Sequence, residues 1–294
     1  MRSRRRGAGS DIAGSRPYRP GDDVRRIDWR ASARLSSARS GDEFVVREHL
    51  TEEAARVVLL VDRRRAMALF PAALPWLRKP RAIAAAGSLI VDSAVRARCL
   101  VGCFDHDGSE HPRSEAPAGA FAWQAPDERT EPWQVQERYL SESRFLAPDD
   151  FLARALEELT RLDHALPDGT FVFLLSDFLV FPPRRVWSEA LARRWDIVPV
   201  VIQDPVWEQS FPDVAGGVLP LADPSRGRVE VVRLTRGDVL KRRRANEARL
   251  VTLLDGFDAM GLDHVLVSRD DPGAILNAFL DWAAGRSGVA RLAR

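Results

Sequence analysis

The chain has 294 residues, 45% apolar and 29% charged, with a formal net charge of +2. That is enough for one large core, or a core plus a small extra domain, in ordinary globular composition. No stretch of about 18 uncharged apolar residues occurs, so no membrane-spanning helix is expected, and no apolar segment of the kind a secretory signal needs follows the basic Met1–Arg6. The charge balance excludes a strong global pull on nucleic acid or membrane.

In chain order, residues 1–50 read as an irregular, charged leader with twelve Arg against seven acids and a turn at Pro20-Gly21. "RVVLLVD" (56–62) has the look of a strand buried on both faces. Pro80 can open a helix, in which Ile83, Ala86, Ile90 and Ala94 recur at helical spacing. "ARCLVGCF" (97–104) is a second strand. Residues 105–148, rich in Pro, Gly and charge, form a long insertion with one edge strand near 120–124. Asp149 or Asp150 then caps a helix carrying Leu152, Leu156, Leu159 and Leu162. "TFVFLLSDF" (170–178) is the most apolar strand, a helix follows Pro182-Pro183, and "IVPVVI" (197–202) is another strand. Residues 217–234 read as a hairpin, 238–259 as an amphipathic helix, 264–268 as the last strand, and Ile275, Leu276, Phe279 and Trp282 mark the last helix.

Strands alternating with helices predict a three-layer α/β fold: a mostly parallel central sheet with helices on both faces, an irregular N-terminal leader and an inserted β-hairpin. In such folds the binding crevice lies at the carboxyl ends of the strands, where Asp62 and Asp177 both stand. Cys99 and Cys103, four residues apart on one strand, would lie roughly 13 Å apart, too far for a disulfide. They read as small core residues in a reducing compartment.

The run Tyr18, Gly21, Asp22, Asp23, Arg25, Ile27, Asp28, Trp29, Ala33, Arg34 resembles the signature of the DUF58 family, bacterial proteins with a von Willebrand factor A-like domain. The later order fits too, with Leu59–Asp62, Met67, Leu174–Phe178 and Asp204-Pro205 in place, so the resemblance spans Ser15 to Ala284. It implies a leader (1–50) bearing the signature and a von Willebrand factor A-like domain (51–294). It implies work as an adaptor or assembly factor beside a MoxR-type AAA+ ATPase or that ATPase's client. Tyr18, Gly21, Asp22, Asp23, Arg25, Asp28, Trp29 and Arg34 are then the expected partner-binding residues. Many members carry two N-terminal membrane helices, and this chain resembles the short branch without them, which points to the cytoplasm.

One departure matters. The domain type ligates a metal through Asp-x-Ser-x-Ser, and here Arg64 and Ala66 occupy the two serine positions after Asp62. Arg has no acceptor and Ala no polar group. Asp62, Arg64, Ala66, Ser176 and Asp177 therefore read as a degenerate metal-site crevice, with an arginine neutralising the acids, and no metal or cofactor is expected. The alternative is a metal-dependent hydrolase using Asp62 and Asp177.

Motifs for other chemistry are missing. The sequence has no phosphate-binding Gly-rich loop ending in Lys, no dinucleotide fingerprint and no Gly-x-Ser-x-Gly elbow. His106 and His111, near Asp105 and Asp107, read as solvated loop residues. The basic runs Arg2–Arg6 and Lys241–Arg244 lack the interleaved aromatics that stacking on nucleic acid requires, so the first reads as a tail and the second as a solvated helix face. In the signature itself, Asp28 is expected to pair with nearby arginines, Asp22 or Asp23 to cap a turn at 24–27, and Ile27 and Trp29 to anchor the leader. The expected activity is protein–protein interaction rather than catalysis.

Overall fold

The computed structural model describes residues 3–7, 11–19, 27–39, 44–69, 76–106, 121–128, 145–162, 166–223 and 228–292. The chain divides into two compact units, Met1–Ala55 and Arg56–Arg294.

The first unit is not the irregular leader that its composition predicts. Strands β1 (Ser3–Gly7), β2 (Asp11–Pro17) and β3 (Val45–Glu53) form an antiparallel sheet in the order β1-β3-β2. Helix α1 (Trp29–Arg39) is a further element that the sequence pattern does not announce. The strands read SRRRG, DIAGSRP and VVREHLTEE, with neither an apolar run nor sustained alternation. Asp28 caps α1: its Oδ1 accepts from the backbone N–H groups of Arg30 and Ala31, both at 3.1 Å. Ser32 Oγ donates to the Asp28 carbonyl at 2.7 Å and accepts from Val45 N–H at 2.9 Å, fastening the helix to β3. Ile27, 8% exposed, bridges to Val46.

The second unit carries a six-stranded sheet. In chain order its strands are β4 (Arg56–Val61), β5 (Leu100–His106), β6 (Phe121–Asp127), β7 (Phe171–Ser176), β8 (Asp196–Ile202) and β11 (Val265–Val267). Their spatial order is β11-β8-β7-β4-β5-β6, parallel throughout except for β6, which pairs antiparallel with β5 at the edge. This is the predicted α/β architecture. Strands β9 (Val218–Asp223) and β10 (Arg228–Arg233) form the predicted hairpin.

Helices cover the sheet on both faces. Val58 and Leu60 of β4 and Val172 and Leu174 of β7 face α3 (Phe151–Arg161), α4 (Arg184–Leu191) and α5 (Arg236–Ala259), whose Leu156, Trp187 and Phe257 complete that core. Helix α2 (Lys79–Arg96), with Pro80 in its first turn, packs with α6 (Pro272–Leu292) and against β4 and β5. Alternate residues of the buried strands thus serve opposite layers, which is why those strands read as continuous apolar runs.

Two local expectations are corrected. Asp150 occupies the N-cap position of α3, but its carboxylate receives Arg154 Nε at 2.8 Å instead of capping the backbone. Helix α5 begins two residues before the expected start, because Thr235 and Asp238 form a reciprocal capping box. In the 105–148 insertion, Phe121 lies 5.0 Å and Trp123 6.0 Å from the Phe104 ring, so this patch packs onto the core; the second patch, 133–139, lies outside the described residues. Neither Cys99 nor Cys103 is in a disulfide, and burial raises the Cys99 pKa.

Candidate functional site

From β4 the chain crosses to β5 on one side, and later returns to lay β7 on the other. The strand order therefore diverges between β4 and β7, and a parallel sheet opens a crevice at such a switch point, outside the carboxyl ends of its strands. Asp62 follows β4 and Asp177 follows β7, so the topology puts one carboxylate on each side of the crevice.

Arg64 fills the space between them. Its Nη2 donates to Asp62 Oδ2 at 2.6 Å and to Asp177 Oδ1 at 2.5 Å, and its Nε reaches Asp62 Oδ2 at 2.9 Å. Lys79, at the start of α2, donates to Asp177 Oδ2 at 2.9 Å and to Glu208 Oε1. Ser176 Oγ donates to Asp62 Oδ2 at 2.6 Å, and the Arg64 N–H to Asp62 Oδ1 at 3.0 Å. Every carboxylate oxygen of Asp62 and Asp177 therefore accepts from protein. Asp62, Arg64, Lys79, Ser176 and Asp177 are all buried.

The backbone supports this arrangement. Phe178 takes a left-handed conformation at φ +52°, unusual for an aromatic residue, and its ring lies 5.1 Å from that of Phe257. Around this turn the Leu179 N–H donates to Asp177 Oδ1 and the Phe178 N–H to Ser176 Oγ, both at 3.0 Å. Gln203 Nε2, from the end of β8, donates to the Asp177 carbonyl at 2.6 Å.

Burial would push the Asp177 carboxyl up, but Lys79 and Arg64 outweigh it and hold the pKa at about 2. Burial likewise opposes the Lys79 charge, and Asp177 and Glu208 together hold its pKa above the ordinary value. The Arg64 guanidinium is raised as well, burial being outweighed by Asp62 and Asp177. Glu208 moves the other way for a carboxylate. Its burial raises it more than Lys79 lowers it, and Asp177 adds to the rise. Two cations thus face three carboxylates, with Glu208 the strained member at the edge, its side chain 17% exposed.

A second buried pair flanks the first. Arg63 grips Asp105 in a bidentate contact, Nε to Oδ1 at 2.7 Å and Nη2 to Oδ2 at 2.9 Å, with its guanidinium 4.9 Å from the Phe145 ring centre. Asp105, noted in the sequence only as a neighbour of His106, is therefore a buried counterion; Asp107 and His111 lie outside the described residues.

Of the crevice residues named from sequence, Asp62, Arg64, Ser176 and Asp177 converge. Ala66 contributes only its carbonyl, 3.5 Å from Lys79 Nζ. Sequence reasoning missed Lys79 and Glu208. A signal existed for the lysine: it is one of only two in the chain, and a cation at a helix N-terminus opposes the helix dipole unless carboxylates compensate.

The signature residues fare differently. Gly21, Asp22, Asp23 and Arg25, and with them the expected turn at 24–27, lie outside the described residues. Tyr18 is half-buried and its N–H donates to the Phe44 carbonyl at 2.8 Å. Arg34 is exposed. The expected anchoring role of Trp29 is overturned, because the residue is 62% exposed; its ring meets that of Phe44 edge to face at 6.0 Å. The Lys241–Arg244 run, expected to be a solvated helix face, is partly engaged, with Arg243 Nε donating to the Phe211 carbonyl at 2.9 Å and Arg242 over the Phe211 ring.

The model of a family described as "Protein of unknown function DUF58" matches residues 14–103. This is the family that the signature resembles, and the matched stretch runs from β2 through β4 and the Asp62–Arg64 turn to β5. No curated protein matches the sequence. Among solved structures, the conserved hypothetical protein BatB from Bacteroides thetaiotaomicron aligns at 14% identity with a TM-score of 0.41, over 79% of this chain and 100% of its own. An aerotolerance-related membrane protein from Bacteroides fragilis NCTC 9343, with multiple mutations to serines, aligns at 11% identity with a TM-score of 0.42 and the same coverages. No helix among the described residues is long and apolar enough to cross a membrane.

Proposed function

We propose that this chain, whose residues 14–103 match the DUF58 family model, is a member of that family and a non-catalytic interaction protein. Its partner in this reading is a MoxR-type AAA+ ATPase or that ATPase's client, and its work is assembly or maturation of the client. The resemblance supplies the partner class. The observation that carries the non-catalytic part is the closed crevice, where Arg64 and Lys79 hold both aspartates.

A metal site of the von Willebrand factor A type needs free carboxylate and hydroxyl oxygens converging on one point. Here the oxygens of Asp62 and Asp177 are taken by Arg64, Lys79, Ser176 and the backbone, and a guanidinium lies where a cation would have to bridge the two acids. These residues do not fit a divalent cation. The hydrolase alternative requires those same carboxylates to be free, so the geometry favours the interaction reading.

The test is to mix the purified chain with the MoxR-type ATPase of the same organism, with and without ATP, and to follow complex formation by light scattering. In parallel the chain alone is assayed on a generic phosphoester with Mg²⁺ and Mn²⁺. A complex without phosphoester turnover supports the reading. Metal-dependent turnover that disappears in Asp62→Asn would replace it with the hydrolase.

A further inference from the structure

The first unit displays an aromatic residue that folding does not bury. Trp29 is 62% and Phe44 43% exposed, and the two rings meet edge to face. Over residues 29–35 of α1 the side chains divide cleanly. Ser32 is buried and Ala31 and Leu35 are half-buried on one side, while Trp29, Arg30, Ala33 and Arg34 are exposed on the other. At 100° per residue those four exposed positions share one half of the helix. The helix sequence, WRASARLSSAR, contains arginines and no acid. Among the described residues, the exposed guanidinium groups of Arg30 and Arg34 join no ion pair.

The mounting is firm. Asp28 caps the helix, Ser32 ties α1 to β3, the Asp28 N–H donates to the Val45 carbonyl at 2.8 Å, and the Tyr18 N–H to the Phe44 carbonyl at 2.8 Å. A preorganised side chain loses little freedom on binding. Trp and Arg are the residue types that dominate binding energy at protein interfaces.

Resting on the adaptor reading above, we propose that Trp29 and Phe44, flanked by Arg30 and Arg34, are a docking surface for an acidic polypeptide segment with aliphatic side chains. Charge complementarity decides the occupant. The aromatic pair takes an aliphatic side chain, and the two guanidinium groups, one helical turn apart on the same stripe of α1, pair with carboxylates beside it. Asp28, named from the signature as a recognition residue, instead holds the surface in place.

The experiment uses the full chain and a fluorescent peptide alternating Leu and Glu, with a Leu–Lys peptide and oligo(dT) as comparison probes, read by anisotropy at two salt concentrations. The Leu–Glu peptide binds, and binds more weakly at high salt. Trp29→Ala and the double variant Arg30→Glu/Arg34→Glu each weaken it about tenfold or more, while Arg96→Glu, a substitution of an exposed residue in the other unit, leaves it unchanged. Thermal unfolding midpoints of all variants stay near that of the unsubstituted chain. Failure of the Leu–Glu peptide to bind overturns the proposal. So does equal binding of the Leu–Lys peptide, and so does oligo(dT) binding that Trp29→Ala abolishes, which would make the occupant a nucleic acid. If the ATPase binds the chain and binds Trp29→Ala just as tightly, this surface is wrong and the adaptor reading stands. If the peptide binds as expected and the ATPase does not, the reverse holds.

Discussion

Arg64 and Asp177, 113 positions apart in sequence, meet in the buried crevice at 2.5 Å, with Asp62 on the other side of the same guanidinium. The contact joins the ends of β4 and β7, the two strands between which the sheet's order diverges. The space between the two carboxylates is held by a guanidinium of the chain itself.

Removing that cation leaves two buried carboxylates facing each other. Arg64→Met is expected to cost about 3–5 kcal/mol, the usual penalty for breaking one side of a buried pair. Arg154→Met, which removes an exposed pair with Asp150, should cost no more than about 1 kcal/mol. Urea unfolding midpoints measure both. Equal, small losses would mean that Arg64 contributes no more than a surface charge.

The acid limb of stability separates Asp177 from Glu208. Asp177 is held at about 2, below its unfolded value of about 3.9. Its contribution is present above the unfolded pKa and is lost as pH falls through the folded one. Glu208 is raised, so its ionised form opposes folding and its protonation relieves that cost. Wild type should therefore gain stability relative to Glu208→Gln as pH is lowered from neutral through the Glu208 titration, and only at lower pH lose the Asp177 contribution. Chemical denaturation of both proteins across the acid range tests the sign; a wild type that loses ground to the variant from the outset would contradict it.

Gly102 lies where β6 crosses its register shift against β5. A Cβ there would meet the Gln124 carbonyl oxygen at 2.8 Å and Pro126 N at 2.9 Å, both backbone atoms. Gly102→Ala should cost about 1–3 kcal/mol through overpacking and loosen the edge strand. Hydrogen exchange should show faster exchange in 121–127 than in β4 or β7. Unchanged protection of β6 would rule this out.

Among the described residues of the first unit, Ile27, Val45, Val46 and Ala55 are the buried apolar side chains. Ile27→Ala is expected to cost about 2–4 kcal/mol, Asp28→Ala about 1 kcal/mol for the lost cap, and Trp29→Ala within about 0.5 kcal/mol. A large loss for Trp29→Ala in the isolated chain would show its ring to be buried.

The second unit was legible because its strands are buried on both faces and its helices carry apolar stripes. "RVVLLV" and "FVFLLS" have no other reading in a chain of this composition. Asp62 and Asp177 followed, since each ends such a strand. Arg64 was legible as a cation set close to an acid that ends a buried strand. Lys79 and Glu208 were not, because their meeting depends on where α2 begins and where the turn after β8 lies, which no local pattern encodes. In the first unit the strand sequences carry no sustained apolar pattern to read, and the exposure of Trp29 follows from Asp28 and Ser32 fixing the rotation of α1, not from the tryptophan's own apolar character.

Arg64 and Lys79 already fill the crevice with the chain's own cations. The most direct measurement of that is the thermal unfolding midpoint of the full chain with and without millimolar Mg²⁺ or Mn²⁺. The filled crevice predicts the same midpoint in both conditions. A rise of several degrees with metal, abolished in Asp62→Asn, would show that the aspartates bind a cation and that Arg64 yields to it.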